Sequence, residues 1–177
     1  MLFERISYLD GAICQKFQSI RIGNRLDRFL RFYTRIGDGY VWLIIMAYIL
    51  FFRADLWTSV LFKILFIGTI SVAIYVFIKN TIKRPRPFSK HAGIKASLPA
   101  LDNYSFPSGH VMNNLAISGI LVWTFPWLTI SIFLIPISWG ILRVYYGVHY
   151  VSDVLAGIIL GLFCFQGGNY LYLILFS

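Results

Sequence analysis

Residues 111–142 read VMNNLAISGILVWTFPWLTISIFLIPISWGIL, a run of 32 amino acids without a single Asp, Glu, Lys or Arg. One helix needs only about 20 apolar residues to cross a lipid bilayer, so this run is too long for a single crossing. At its middle stands Phe125-Pro126-Trp127, and a proline between aromatic residues favours a turn at the membrane–water interface. The run therefore predicts two short apolar helices joined by a tight turn.

Three other segments of the chain are similarly apolar, namely residues 39–52, 56–78 and 154–176. The 67 residues from position 111 onward contain only two formal charges, Arg143 and Asp153, which are too few to cover a water-facing surface. We therefore expect an all-α integral membrane bundle of about five to six transmembrane helices that forms a single domain over residues 1–177. Gly157 and Gly161 have a spacing that favours close packing against another helix of the chain or of a second copy.

The overall composition is both apolar and basic. Of the 177 residues, 58% are hydrophobic and 13% are charged, and 16 Lys and Arg oppose 7 Asp and Glu for a net charge of +9. Soluble domains average about 25% charged residues. A basic chain suggests a nucleic-acid partner, but 13 of the 16 cations fall within residues 1–35 and 79–95. This clustering indicates a membrane-surface segment and a local anion site, and we expect no nucleic-acid partner.

The first 36 residues are amphipathic rather than apolar. Their second half has two sets of residues at helical spacing on opposite faces, an apolar set of Leu26, Phe29, Leu30, Tyr33 and Ile36 and a basic set of Arg25, Arg28, Arg31 and Arg35. The pattern predicts amphipathic interfacial helices, either packed against the rest of the protein or anchored on anionic headgroups. Charges among the first twenty residues argue against a cleaved signal peptide.

A basic segment interrupts the apolar ones. Between positions 79 and 95 there are six cations and no acid, namely Lys79, Lys83, Arg84, Arg86, Lys90 and Lys95. Pro85 and Pro87 exclude a regular helix there, so we expect a loop that ends near Pro107. Loops of this length usually carry function. The four cations other than Lys79 and Arg86 either recruit an anionic headgroup or face water.

Counting membrane crossings shows which polar residues can meet. The basic loop follows the second apolar segment, and His110 begins the third. Arg143 ends the fourth segment, and His149 and Asp153 begin the fifth. An even number of crossings precedes each position, so all of them lie on one face of the membrane. One pocket at that face can therefore contain Lys79, Arg86, Ser108, His110, Arg143, His149 and Asp153.

Spacing within this set predicts a histidine–carboxylate pair. His149 and Asp153 are four residues apart, so on a helix the carboxylate can accept a hydrogen bond from one imidazole nitrogen. That contact fixes the tautomer and leaves the other nitrogen free. Arg143 and His149 would point to different sides of an unbroken helix, but Gly147 between them permits a break that lets both face the pocket.

The stretch Pro107-Ser108-Gly109-His110 adds a helix N-terminus to the pocket. Ser108 is a candidate N-cap and Gly109 lets the backbone approach a ligand closely, so the N–H groups that follow favour an anion. Three cations, a helix N-terminus and two histidines suit cleavage of a phosphate ester. The cations neutralise phosphoryl oxygens, one histidine attacks phosphorus, and another acid protonates the leaving oxygen.

We expect neither a metal nor any other cofactor in this chain. Hard divalent cations need clustered oxygen ligands, and Asp153 is the only acid after Asp102. The two cysteines, Cys14 and Cys164, form neither a disulfide framework nor a paired metal motif. We interpret both cysteines as apolar residues.

Three blocks of sequence stand in order with fixed internal spacing, namely Lys79-x6-Arg86-Pro87, Pro107-Ser108-Gly109-His110 and Arg143-x5-His149-x3-Asp153. Together they resemble the signature of the type 2 phosphatidate phosphatase superfamily, which includes the vanadium-dependent haloperoxidases. Members usually carry a serine before the arginine of the third block, where this chain has Leu142. The change removes a supporting hydrogen bond and leaves the reacting groups in place.

The resemblance implies a role for each residue of the signature. Under it, His149 is the nucleophile that forms a phosphohistidine intermediate, and Asp153 orients His149 and stabilises its positive charge. His110 is the general acid for the leaving group and the base that activates water in the second half-reaction. The residues implied to hold the phosphoryl oxygens are Lys79, Arg86, Ser108, Gly109 and Arg143.

The resemblance also implies a substrate class and a location. An active site at the bilayer surface acts on a lipid phosphate monoester or pyrophosphate, with membrane lipids as partners. The candidates are undecaprenyl pyrophosphate, phosphatidylglycerophosphate, phosphatidate and lipid A 1-phosphate. The implied location is a bacterial inner membrane with the site facing the periplasm or exterior. The cation count favours the opposite orientation, because the N-terminal arginines share the face of the pocket.

Two alternatives stay open. A non-catalytic membrane transporter or scaffold for anions or lipids would keep the pocket without turnover, but we would expect such a protein to lose His149 or His110 first. In the second alternative, Arg143 and Asp153 form a purely structural ion pair within the membrane.

Overall fold

The computed structural model describes residues 2–100 and 102–176, and within these ranges all regular structure is helical. In chain order the helices are α1 (Leu2–Ser19), α2 (Asn24–Ile36), α3 (Tyr40–Phe52), α4 (Ala54–Ile82), α5 (Pro87–Lys90), α6 (Gly109–Thr124), α7 (Thr129–Tyr145) and α8 (Val151–Phe176). A short 3-10 helix, Pro126–Leu128, joins α6 to α7 at the predicted turn. The all-α prediction is confirmed.

Helix α6 is the centre of the bundle. It packs against α8, α7 and α4, and α4 also contacts α8. A buried apolar cluster joins three of these helices, with Met112 and Ala116 from α6, Ile67 from α4 and Phe165 from α8. Lipid is as apolar as these side chains, so close fit between helices, rather than removal from water, holds this part of the bundle together.

Two glycines let α8 lie directly on the backbone of α6. A Cβ atom built on Gly157 would stand 2.9 Å from the carbonyl oxygen of Ser108, and one built on Gly161 would stand 2.7 Å from that of Met112. Both distances are shorter than real Cβ contacts, so neither position has room for a side chain. The glycine spacing is therefore used for helix packing within the chain.

The five predicted apolar segments correspond to α3, α4, α6, α7 and α8. In the described part of the chain, α4 and α8 are each long and apolar enough to cross a membrane. Helices α2 and α3 are a third candidate if the pair, bent by 62°, counts as one span. Helices α6 and α7 have only 16 and 17 residues, fewer than the roughly 20 that a full crossing needs. The predicted number of five to six spans is not confirmed.

The amphipathic helix α2 has an apolar face with two different surroundings. The hydroxyls of Tyr33 and of Ser138 on α7 are 2.7 Å apart, and Leu30 packs against a buried apolar cluster that contains Tyr146. Leu26 and Phe29 remain 49% and 60% exposed. One edge of the helix therefore packs on the protein, as the first interpretation predicts, and the other edge stays uncovered, so that anchoring on anionic headgroups stays a prediction.

The basic segment differs from its prediction in two ways. Helix α4 continues to Ile82, so Lys79 stands in the last turn of a helix rather than in a loop. One helical turn, α5, forms despite the prolines, because Pro87 at its first position lacks only an N–H that has no partner there. Between α5 and α6, residues 91–100 and 102–108 form no helix.

Candidate active site

A cavity of about 410 Å³ lies between α4, α6, α7 and the turn that joins α2 to α3. Six of the eight predicted site residues line it, namely Lys79, Arg86, Gly109, His110, Arg143 and His149. The other two, Ser108 and Asp153, are completely buried beside each other, where the Ser108 N–H donates to the Asp153 carbonyl at 3.0 Å. The structure therefore brings the predicted residues together in and beside one cavity.

His149 lies in the connection between α7 and α8. Helix α7 ends at Tyr145 and Gly147 has a φ of +73°, so the predicted break at this glycine is confirmed. The predicted contact with Asp153 forms, with the Nδ1 of His149 3.6 Å from the carboxylate, but it is longer than a hydrogen bond and is not made within a helix, because α8 begins only at Val151. That nitrogen is instead 2.7 Å from the carbonyl oxygen of Ser105.

The Ser105 carbonyl determines the tautomer of His149. A carbonyl only accepts hydrogen bonds, so Nδ1 carries the proton and Nε2 keeps its lone pair. Burial lowers the pKa of His149 to about 4, outweighing the opposing effect of the nearby Asp153. The imidazole is therefore neutral at pH 7, which is the form of histidine that can attack phosphorus.

Asp153 makes its hydrogen bonds to other groups. Its carboxylate accepts from Arg84 at 2.6 Å and from the backbone N–H of Tyr150 at 2.8 Å. Arg84 also donates to Asp10 of α1 at 2.7 Å and thereby bridges two buried acids. Both predicted uses of Arg84, at a headgroup or in water, are wrong, because two buried carboxylates need a cation between them. The alternative pairing of Asp153 with Arg143 is not formed.

Two of the predicted phosphate-binding cations converge on Asp102. Its carboxylate accepts from Lys79 at 2.6 Å, from Arg86 at 2.8 Å and from the hydroxyl of Tyr75 at 2.6 Å. Burial alone would favour the neutral acid, but the hydrogen bonds from Lys79 and Tyr75 outweigh it and hold the pKa of Asp102 well below its usual range. Asp102 is outside the predicted set, although it is the one acid between Lys79 and Pro107, a signal that could have pointed to it.

The third cation, Arg143, lies beside His110 at the start of α6. Its terminal nitrogen NH2 is 2.8 Å from Nδ1 and 2.6 Å from Nε2 of His110, and 3.3 Å from the carboxylate of Asp38. Asp38 also contacts His110 directly, with Oδ1 2.7 Å from Nε2. Burial opposes ionisation of Asp38, but the hydrogen bond from His110 and the neighbouring charges outweigh it and lower the pKa of Asp38. No sequence pattern singled out this residue.

Donors without partners remain around the start of α6. Ser108 occupies the predicted N-cap position, yet its buried hydroxyl makes no capping bond and has no partner among the described residues. The Nε of Arg143 is buried and unpartnered in the same sense. Buried polar groups normally have partners, and a helix N-terminus favours an anion. Leu142, in the place of the usual serine, packs its side chain on a buried apolar cluster, and that side chain has no group that can form a hydrogen bond.

Residues 2–100 and 102–176 contain no group of three or more His, Cys, Asp or Glu side chains close enough to hold a metal ion. Cys14 and Cys164 are both free and buried. What the cavity brings together is one neutral imidazole, a second imidazole paired with a carboxylate, and three cations. This set can bind a phosphoryl group and move a proton beside it.

Curated proteins with similar sequences are phosphatases. The undecaprenyl-diphosphatase of Sulfolobus acidocaldarius is 30% identical over 139 residues, which cover 77% of this chain and 66% of the relative. Phosphatidylglycerophosphatase B of Bacillus subtilis is 35% identical over 134 residues, covering 70% of this chain and 62% of the relative. The chain thus spans slightly less than two thirds of the length of these relatives.

A solved structure has the same fold. The crystal structure of a transmembrane PAP2 type phosphatidylglycerolphosphate phosphatase from Bacillus subtilis superposes with a TM-score of 0.74 and 30% identity, covering 94% of this chain and 86% of that one. Residues 60–173 match the PAP2 superfamily, and this range contains all three sequence blocks, helices α6 and α7, and all but the last three residues of α8. On sequence blocks, pocket and fold alike, this chain belongs to the PAP2 superfamily.

Proposed function

We propose that this protein is an integral membrane lipid phosphatase, active as a single domain over residues 1–177 and without a metal cofactor. It hydrolyses a phosphate from a lipid phosphate monoester or pyrophosphate. The observation that carries the proposal is one cavity in which a neutral His149, a carboxylate-paired His110 and three cations lie together. The sequence relationship to phosphatases supports it.

The proposed reaction has two steps at phosphorus. Nε2 of His149 attacks, the bond from phosphorus to the ester oxygen breaks, and His110 gives its proton to that oxygen. His110 then takes a proton from water as the water oxygen attacks the phosphohistidine, which releases inorganic phosphate and restores the imidazole. Asp153, held by Arg84, stabilises the positive charge on His149.

Binding of the phosphoryl group falls to the cations and the start of α6. In the proposal the phosphoryl oxygens are held by Lys79, Arg86, Ser108, Gly109 and Arg143. The unpartnered hydroxyl of Ser108 and Nε of Arg143 become donors to these oxygens. When substrate binds, the phosphoryl oxygens replace the carboxylates as partners of the cations. The new charge-assisted hydrogen bonds compensate for the lost contacts between the cations and the carboxylates.

The proposed substrate places its phosphate at headgroup depth and leaves its chain in the bilayer. A cavity of about 410 Å³ accommodates a phosphorylated headgroup and not a complete lipid. The names of two relatives favour undecaprenyl pyrophosphate and phosphatidylglycerophosphate, while phosphatidate and lipid A 1-phosphate share the same chemistry. We propose a bacterial inner membrane as the location, with the cavity open to the periplasm or exterior.

The test is phosphate release by the purified protein from these four lipids, measured side by side in detergent with a chelator present. We expect release from at least one lipid, no release by His149→Ala, and unchanged release by Asp55→Asn. Asp55 is a suitable control because it is an exposed acid whose partner, Arg53, is also exposed. Failure to release phosphate from any of the four would refute the proposal and favour a non-catalytic transporter or scaffold.

A further inference from the structure

The turn between α2 and α3 has the sequence Gly37-Asp38-Gly39 and forms part of the cavity wall. Gly39 has a φ of +124°, a conformation that residues with side chains rarely adopt. A Cβ atom on Gly37 would stand 2.7 Å from the indole ring of Trp139. Both neighbours of Asp38 therefore need to be glycine, and the turn presents a single carboxylate to the cavity.

Asn114 ties this turn to the helix that carries His110. Its Nδ2 donates to the carbonyl oxygen of Gly37 at 3.0 Å and to that of His110 at 2.6 Å. Its Oδ1 accepts from the indole N–H of Trp42 on α3 at 2.7 Å. One buried amide thus joins the turn, α3 and α6, and fixes the distance between Asp38 and His110.

The surroundings of His110 oppose its protonation, with one exception. The ring is buried, Arg143 of α7 touches it, and Arg86 adds a second positive charge from the basic segment. Desolvation and nearby cations both disfavour an imidazolium. Across the cavity, Asp102 is engaged by Lys79 and Arg86, and His149 is neutral. Asp38, at 2.7 Å, is the carboxylate that contacts His110.

We propose that Asp38 is the positioning residue that aims His110 and favours its protonated form for its work as general acid, a role that rests on the proposed function. Burial and the neighbouring guanidinium favour the neutral imidazole, which is a poor acid, and Asp38 is the group that opposes them. Asp38 accepts the N–H at Nε2 of His110. The proton at Nδ1 passes to the leaving oxygen once Arg143 has turned to the phosphoryl group.

Leaving-group dependence separates this role from a structural one. An alkyl oxygen needs a proton when the ester bond breaks, whereas the p-nitrophenolate of p-nitrophenyl phosphate leaves without one. General acid catalysis contributes roughly 100-fold to 10,000-fold. In Asp38→Asn we therefore expect kcat/KM to fall by about 100-fold or more on phosphatidate and by less than about 10-fold on p-nitrophenyl phosphate.

The experiment compares the full-length wild type, Asp38→Asn, Asp38→Glu and the surface control Asp55→Asn on both substrates across pH. The Asn variant should also show an alkaline limb of kcat/KM on phosphatidate that lies at lower pH, because the imidazolium loses its anionic partner. Asp38→Glu keeps the charge and should recover part of the loss on phosphatidate alone. Thermal unfolding midpoints show whether each variant is folded. If Asp38→Asn does not fold, the comparison of Asp38→Glu with the wild type is the test.

Four results would overturn the proposal. Equal losses on the two substrates, with a raised KM, would mean that Asp38 only places Arg143 for phosphate binding. Unchanged kinetics in Asp38→Asn, or no recovery in Asp38→Glu, would remove the role of its charge. Wild-type protein that hydrolyses neither substrate would refute the proposed function and, with it, this role. The missing wild-type activity distinguishes this result from the others.

Discussion

Each cation of the cavity stands beside a carboxylate. Asp102 holds Lys79 and Arg86, and Asp38 contacts Arg143. Removing one member of such a buried set leaves an uncompensated charge, which is far more destabilising than loss of an exposed pair. The carboxylates therefore keep three like charges close together and preorganise them for a phosphoryl group.

Arg84 allows this principle to be tested outside the cavity. Arg84→Met leaves Asp10 and Asp153 buried without their shared cation, and we expect a loss of about 3 kcal/mol or more in unfolding free energy. Phosphatase activity should fall as well, because Asp153 loses the group that holds it near His149. Thermal unfolding and phosphate release measure the two effects.

Arg53→Met is the matched control, since Arg53 pairs with Asp55 at an exposed position. It should change neither the unfolding midpoint nor the activity. Equal midpoints for the Arg84 and Arg53 variants would contradict the buried network.

At the residue scale, the three sequence blocks were sufficient to predict the residues of the site that lie within them, from Lys79 to Asp153. They did not predict Asp38 or Asp102, because each is placed by contacts with residues distant in the chain. Asp38 reaches Arg143 across 105 positions, and no local pattern records such a contact. The Ser105 carbonyl, which fixes the tautomer of His149, is a backbone group and leaves no trace in a side-chain motif.

At the scale of elements, the packing of α8 on α6 places the two halves of the site together. His110 begins α6 and His149 precedes α8, so any change in the distance between these helices moves one histidine relative to the other. The contact depends on glycine, because a Cβ atom at position 161 would stand 2.7 Å from the Met112 carbonyl.

Gly161→Ala should therefore destabilise the protein by about 1–3 kcal/mol, the usual range for overpacking, and should lower activity with it. The control is Gly167→Ala on the same helix, where no atom lies within 4 Å of the added Cβ. That variant should be neutral or more stable by roughly 0.5–1 kcal/mol, because alanine favours a helix over glycine. Equal unfolding midpoints for the two variants would show that α8 does not pack on α6 in this way.

Helix positions were largely predictable from apolar segments, since charge and proline mark where those segments stop. Helix ends were less predictable. Helix α4 runs on to Ile82 because Lys79 has carboxylate and hydroxyl partners at the helix end and does not have to reach water. Helix α8 starts at Val151 because Asp153 bonds the N–H of Tyr150 rather than the ring of His149.

At the scale of the whole molecule, cation count and family resemblance predict opposite orientations in the membrane. The cations of the basic segment weigh less in that count, because Lys79, Arg84 and Arg86 are bound to carboxylates inside the protein. Such internal charges are not free to respond to the positive-inside rule. This removes three cations from the count on that face, while the N-terminal arginines remain in it.

Cysteine labelling tests the orientation. Lys95→Cys lies at an exposed position on the side of the cavity, and Trp127→Cys lies at the opposite end of α6, where the native side chain is 74% exposed. A membrane-impermeant maleimide should label Lys95→Cys in intact spheroplasts and Trp127→Cys only after lysis. The wild type is the control, because its two cysteines are buried. The reverse pattern would place the cavity in the cytoplasm.

The central claim is that His149 forms a covalent bond to phosphorus. It is tested most directly by quenching a reaction with a radiolabelled lipid phosphate and mapping the labelled peptide. We expect a label that is lost in acid, survives alkali, maps to residue 149 and is absent in His149→Ala, which should also lack turnover. Label on another residue, or near-normal phosphate release by His149→Ala, would contradict the mechanism.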